Sequence, residues 1–110
     1  MQFTVEQKPR FAHITGTGRL NMVGAPGLRE IVAKVVEEGS SHVVVDLGGT
    51  EFMDSSGLGA LIGCLKLARQ AGGDLRIANV RPQVRMVLEL TSMHRVLTPY
   101  DTADAAFADE

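Results

Sequence analysis

The sequence predicts an α/β fold, a sheet of about five strands with four helices packed on it, and three observations carry that prediction. Strand-like and helix-like segments alternate along the chain, a β-hairpin signal comes first, and Val43-Val44-Val45 is the β-branched run of a strand buried on both faces. With 110 residues, the chain is expected to form a single domain, residues 1–110, large enough for one real core.

The elements follow in order. Phe3 and Val5 alternate with Thr4 and Glu6, and Lys8-Pro9 reads as the turn into a second strand, Arg10–Thr15. Gly16, Gly18, Gly24 and Gly27 then punctuate an expected loop. Leu28, Ile31, Val32 and Val35 recur at helical spacing, with Pro26 near the first turn and Gly39 just past the end. His42–Leu47 is the buried strand, giving way to a polar loop that leads to Asp54-Ser55-Ser56-Gly57. Leu58, Leu61, Ile62 and Leu65 make a second helical stripe that stops at Gly72-Gly73. Leu75 and Ile77 mark a further strand. Arg81-Pro82 starts a third helix with Val84, Val87 and Leu88 inward. Arg95–Thr98 reads as a short last strand, and Asp101–Ala108 as a short helix anchored by Phe107.

Composition narrows the function classes. Hydrophobic residues make up 45% and charged residues 22%, so a packed globular domain is expected. The formal charge is −2 and aromatics are 5%, which provides neither a phosphate-tracking surface nor a stacking platform, and no direct nucleic-acid partner is expected. Cys64 stands alone and is read as a small buried residue, so no intrachain disulfide is possible and a cytoplasmic location is expected. Glu6, Lys8 and Arg10 interrupt any secretory segment, and Leu58–Leu65 is far shorter than the ~20 residues of a membrane span, so no membrane partner is expected.

The chemistry is concentrated in Asp46–Gly63, DLGGTEFMDSSGLGALIG, where two serines stand at a helix start after a strand. One of them is a natural N-cap, its oxygen accepting a free backbone N–H. A phosphate on a serine at this position would lie near the positive end of the helix dipole. The two readings do not exclude each other. A hydrolase triad of Ser55 or Ser56 with a histidine and Asp54 lacks the Gly-x-Ser-x-Gly frame, and His13, His42 and His94 show no motif spacing. One cysteine and no paired histidines give no metal-ligand pattern, and Gly57, Gly59 and Gly63 do not have dinucleotide spacing. No enzymatic activity and no cofactor are therefore expected. These glycines are read as letting a partner's backbone approach the helix start, while Arg85 and Arg95 are read as solvated.

From Val43 to Val96 the sequence, VVVDLGGTEFMDSSGLGALIGCLKLARQAGGDLRIANVRPQVRMVLELTSMHRV, resembles the STAS domain of bacterial anti-sigma factor antagonists. The string Asp54-Ser55-Ser56-Gly57-Leu58-Gly59 is the most specific part, supported by Gly72-Gly73 and by Pro82-Gln83-Val84. The resemblance implies a small mixed sheet with helices packed on it. It also implies a partner switch in which Ser56, the second hydroxyl of the string, is phosphorylated by an anti-sigma factor of the serine-kinase type. The unmodified form binds that anti-sigma factor and frees a sigma factor, and a serine phosphatase resets it. The docking surface so implied comprises Asn21, Asp54, Ser55, Gly57, Leu58, Gly59 and Leu61. Three positions depart from the family pattern. Gly18-Arg19-Leu20-Asn21 carries an amide where the family often has aspartate, Gly24 replaces a capping hydroxyl residue, and Ser92 replaces a glycine. Other readings are a STAS subunit of a stressosome or of a lipid-transport complex, and a small serine hydrolase.

Overall fold

The alternation of elements builds a five-stranded sheet in the computed structural model, which describes residues 1–109. The elements are β1 (Gln2–Gln7), β2 (Ala12–Leu20), α1 (Ala25–Glu37), β3 (His42–Met53), α2 (Ser55–Gln70), β4 (Asp74–Ala78), α3 (Pro82–Leu90), a 3-10 turn (Met93–Arg95), β5 (Pro99–Tyr100) and α4 (Ala103–Ala106). The strands lie in chain order, β1-β2-β3-β4-β5. β1 and β2 form the expected antiparallel hairpin, and every other neighbour pair is parallel, so the sheet is mixed.

The valine run does what its composition requires. Val43 and Val45 join the core beneath α1, α2 and α3, while Val44 points to the opposite face and packs with Phe11, Ala78 and the α4 residues Ala103 and Ala106. All three valines are fully buried. Phe107 anchors α4 as expected, stacked on Phe11 with ring centroids 5.9 Å apart. α1 presents Leu28, Val32 and Val35 to the core, and α2 presents Leu58, Leu61, Leu65 and Ala68. In α3, Val84 and Leu88 are fully buried and Val87 packs at the edge.

Three expectations are corrected. Gly16 and Gly18 belong to β2 and not to a loop, and β3 runs on through the Gly48-Gly49 stretch to Met53. A side chain at Gly49 would come within 3.1 Å of the Thr17 hydroxyl and 3.2 Å of the Gly16 carbonyl, so small residues here let two bulged strands approach closely. Thr50, buried between them, donates its hydroxyl to the Gly16 carbonyl at 3.0 Å. Finally, Arg95–Thr98 is not a strand. Ser92 takes a left-handed conformation, φ 60°, and turns the chain into the 3-10 turn, which delays β5 to Pro99–Tyr100. Proline has no N–H to donate and is tolerated there because β5 is an edge strand. This positive φ is one that glycine adopts freely, and serine there costs about 1 kcal/mol.

Candidate functional site

The serine string sits where the ends of β2 and β3 meet the start of α2. Asp54, in extended conformation, donates its backbone N–H to the Leu20 carbonyl at the end of β2, 3.4 Å away. Its side-chain Oδ1 accepts the Gly57 N–H at 3.0 Å, and its carbonyl accepts the Leu58 N–H at 3.0 Å. Asp54 is therefore the N-cap of α2, and the expectation that a serine caps the helix is corrected. The reason is local: Asp, Ser and Ser are all good caps, and the first of the three already has the extended backbone a cap requires.

Ser55 and Ser56 thus occupy the first helical turn, Ser55 exposed and Ser56 half-buried. Among the described residues neither hydroxyl takes part in a hydrogen bond, and no acidic residue lies within the first turn. Their backbone N–H groups precede the first intrahelical bond and face the positive end of the helix dipole. The only charge beside them along the chain is the Asp54 carboxylate.

Behind the cap, Gln83 holds the last residue of β3. The Met53 N–H donates to Gln83 Oε1 at 2.8 Å, and Gln83 Nε2 donates to the Met53 carbonyl at 3.0 Å. One side chain from the first turn of α3 thus supplies both hydrogen bonds that a missing strand neighbour would have supplied. Sequence reasoning noted Gln83 only as part of a string. The available signal was a polar residue just before an inward-facing valine.

The docking residues expected from the resemblance divide sharply. Asn21 is half-buried, and its Oδ1 accepts the N–H groups of Val23 and Gly24 at 3.0 and 3.1 Å. Its oxygen is thus committed to shaping the loop before α1. Gly24 is the N-cap of α1 and makes no side-chain cap bond; a Cβ there would lie 2.7 Å from the Arg19 carbonyl. Gly57 is buried, and a Cβ on it would overlap the Leu20 carbonyl oxygen, so this glycine lets α2 sit against β2 and does not admit a partner. Leu58 and Leu61 are 8% and 0% exposed, both in the core, and they are withdrawn from the docking surface. They belong to the apolar stripe that packs α2 on α1. Gly59 and Gly63 are exposed with open space where a Cβ would stand, as a close-approach surface requires.

Sequence reasoning missed two exposed apolar residues in the loop after Leu20, the residue whose carbonyl accepts the Asp54 N–H. Met22 is 73% exposed and Val23 83%, side by side in the loop that follows Leu20. Their signal was two apolar residues outside the α1 periodicity. Near the end of β2 the Arg19 guanidinium stacks 4.3 Å over the Phe52 ring across the β2–β3 pair.

The histidines are engaged elsewhere. His13 Nε2 meets Asp46 Oδ2 at 2.9 Å, in a cluster where the Gly48 N–H and Asn79 Nδ2 also donate to Asp46, at 2.9 and 3.0 Å. His42 packs edge-on to Phe107, and His94 Nδ1 lies 3.5 Å from the Leu88 carbonyl. Neither serine has a hydrogen-bonded base among the described residues. Cys64 is buried, and desolvation pushes its thiol pKa up from 9.0 to about 11, the opposite of a reactive cysteine. Among the described residues no group of three His, Cys, Asp or Glu side chains is placed to hold a metal ion, and no helix is long and apolar enough to cross a membrane. Arg85 and Arg95 are exposed, as expected.

A mixed five-stranded sheet with helices packed on it is the fold of a STAS domain. The family model of that description matches residues 2–106, and the chain belongs to the STAS domain family. The anti-sigma F factor antagonist of Paenibacillus polymyxa is 38% identical over 60 residues, 54% of this chain and 51% of that protein, so the match spans about half of that relative. The anti-sigma-B factor antagonist of Bacillus subtilis (strain 168) is 26% identical over 93 residues, 84% of each chain. The crystal structure of an anti-sigma factor antagonist from Mycobacterium paratuberculosis superposes with a TM-score of 0.86 at 26% identity, covering 98% of this chain and 92% of that one.

Proposed function

We propose that this chain is an anti-sigma factor antagonist switched by phosphorylation of Ser56. Unmodified, it binds an anti-sigma factor of the serine-kinase type and so frees a sigma factor. The kinase transfers the γ-phosphoryl group of its ATP to the Ser56 hydroxyl oxygen, which gives up its proton as ADP leaves, and the modified chain no longer binds. A serine phosphatase restores the free hydroxyl by hydrolysis. These partners put the chain in the cytoplasm. Its own role is recognition, with no catalysis.

The observation that carries this reading is the unengaged pair of hydroxyls in the first turn of a helix capped by another residue. Modifying Ser56 breaks no hydrogen bond among the described residues. The docking surface proposed comprises Ser55, Ser56 and Gly59 on α2 and Asn21, Met22 and Val23 on the neighbouring loop, with Asp54 holding the helix start. The names of the relatives support the same reading.

The choice between the serines follows the family resemblance, since Ser55 is the more exposed of the two. Incubation with the cognate kinase and ATP, followed by fragmentation of the modified peptide, tests it. Phosphate on Ser56, with labelling lost in Ser56→Ala and kept in Ser55→Ala, is the expected result. Phosphate on Ser55, or undiminished labelling of Ser56→Ala, would overturn the assignment.

A further inference from the structure

α3 is amphipathic, with Arg85 and Glu89 on its outer side, but that side also carries two exposed apolar residues. Val84 and Leu88 are fully buried on the inner side, yet on the outer side Met86 is 50% exposed and Leu90 79%. The two are four residues apart and so stand one turn above the other. With Val80, Pro82, Arg85 and Glu89 they line a shallow groove of about 370 Å³.

The charges on the groove say what covers it. Its lining holds one cation, Arg85, and one anion, Glu89, so neither an acidic nor a basic partner matches it. The two are also four residues apart, in the order that makes the weaker intrahelical pair, and among the described residues they form no ion pair with each other or with another side chain. Arg85 and Glu89 are separated by about 6 Å along the helix, as are Met86 and Leu90. An identical helix laid antiparallel across this one, with the two-fold axis at the level of Val87 and Leu88, satisfies both pairs together. Each copy then gives and receives the same contacts, as an isologous interface requires.

We propose that the outer face of α3 is a homodimer interface: a second copy of this chain packs on it antiparallel, Met86 against Leu90 of the partner subunit and Arg85 against Glu89 of the partner subunit. The groove shares no residue with the surface around Ser56, so the proposal does not rest on the switch described above. α3 has nine residues, and a contact of that size falls below the roughly 1,000 Å² of a stable interface, which makes the dimer a weak one.

Sedimentation equilibrium of the full chain over about 10 µM to 1 mM covers the range of a weak dimer. The apparent mass is expected to rise from 11.8 kDa towards twice that value. Leu90→Gln, Arg85→Glu and Glu89→Arg, each checked for native circular dichroism, are expected to remain monomeric. Arg85→Glu mixed in equal amounts with Glu89→Arg is expected to dimerise, because the mixture restores opposite charges across both pairs, and so is the double variant. A wild-type chain that stays monomeric at 1 mM overturns the proposal, as does a dimer that survives Leu90→Gln. Folded single variants that do not associate on mixing contradict the antiparallel pairing.

Discussion

At Gly57 a single methyl group is enough to disturb the site. Its Cβ would overlap the Leu20 carbonyl oxygen and stand 2.8 Å from Leu20 Cγ, so α2 and the end of β2 would have to separate. Overpacking of this kind typically costs 1–3 kcal/mol, and Gly57→Ala is expected to lower stability by about 2 kcal/mol or more in urea unfolding. Gly59→Ala has open space and a helical backbone and is expected to stabilise by roughly 0.5–1 kcal/mol. An undisturbed Gly57→Ala would mean that the glycine serves a partner after all. Asn21 carries a second prediction at this scale. Its Oδ1 is already committed to the Val23 and Gly24 N–H groups, and an aspartate can accept the same two bonds while adding a charge beside the start of α1. Asn21→Asp is therefore expected to raise stability by a few tenths of a kcal/mol through the helix dipole. It should also tighten binding to an anti-sigma factor that offers a lysine or arginine there, since a charge-assisted bond is roughly twice as strong as a neutral one. Weaker binding in an isothermal titration would put this loop outside the interface.

Among the elements, α3 holds the end of β3 through the two Gln83 hydrogen bonds to Met53. Removing the Gln83 amide takes away the partners of the Met53 N–H and carbonyl at a buried residue, at a cost of about 1–3 kcal/mol. Gln83→Ala is expected to show that loss on thermal unfolding and faster hydrogen exchange at the Met53 and Asp54 amides, with α1 unaffected. Equal exchange at Met53 would mean that β3 holds its end without help. The elements with a clear period were legible in the sequence: the hairpin from its alternation, α1 and α2 from their stripes, β3 from three consecutive valines. What was not legible has a common physical cause. Gly16, Gly18, Gly48 and Gly49 look like turn residues, yet in β2 and β3 they permit close strand approach, and only the partner strand reveals which use applies. The end of β3 was lost in that way. Likewise three successive capping types at 54–56 leave the helix start uncertain by two residues, and the stripe that defined α2 already implied that Leu58 and Leu61 face the core. Met22 and Val23 were hidden because an apolar residue in a loop carries no period.

Over the whole molecule, the proposed switch requires that modification change recognition and leave the fold in place. Phosphate adds about −1.5 to −2 charges at pH 7 in the first turn of α2. The helix dipole and the first-turn N–H groups of Ser55 and Ser56 favour that charge, and the Asp54 carboxylate opposes it. The two effects offset each other, so the melting temperature is expected to move by less than about 4 °C. Docking, in contrast, would bury the phosphate against a surface fitted to a hydroxyl, where an uncompensated charge costs several kcal/mol. The most direct test is calorimetric titration of the anti-sigma factor with unmodified and Ser56-phosphorylated protein, each form melted in parallel. Phosphorylation is expected to weaken binding at least a hundredfold, about 2.8 kcal/mol, with the fold intact, and Ser56→Ala is expected to bind as the unmodified protein does. Equal affinity of the two forms would contradict the switch, and loss of binding together with loss of the folded baseline would contradict the mechanism given for it.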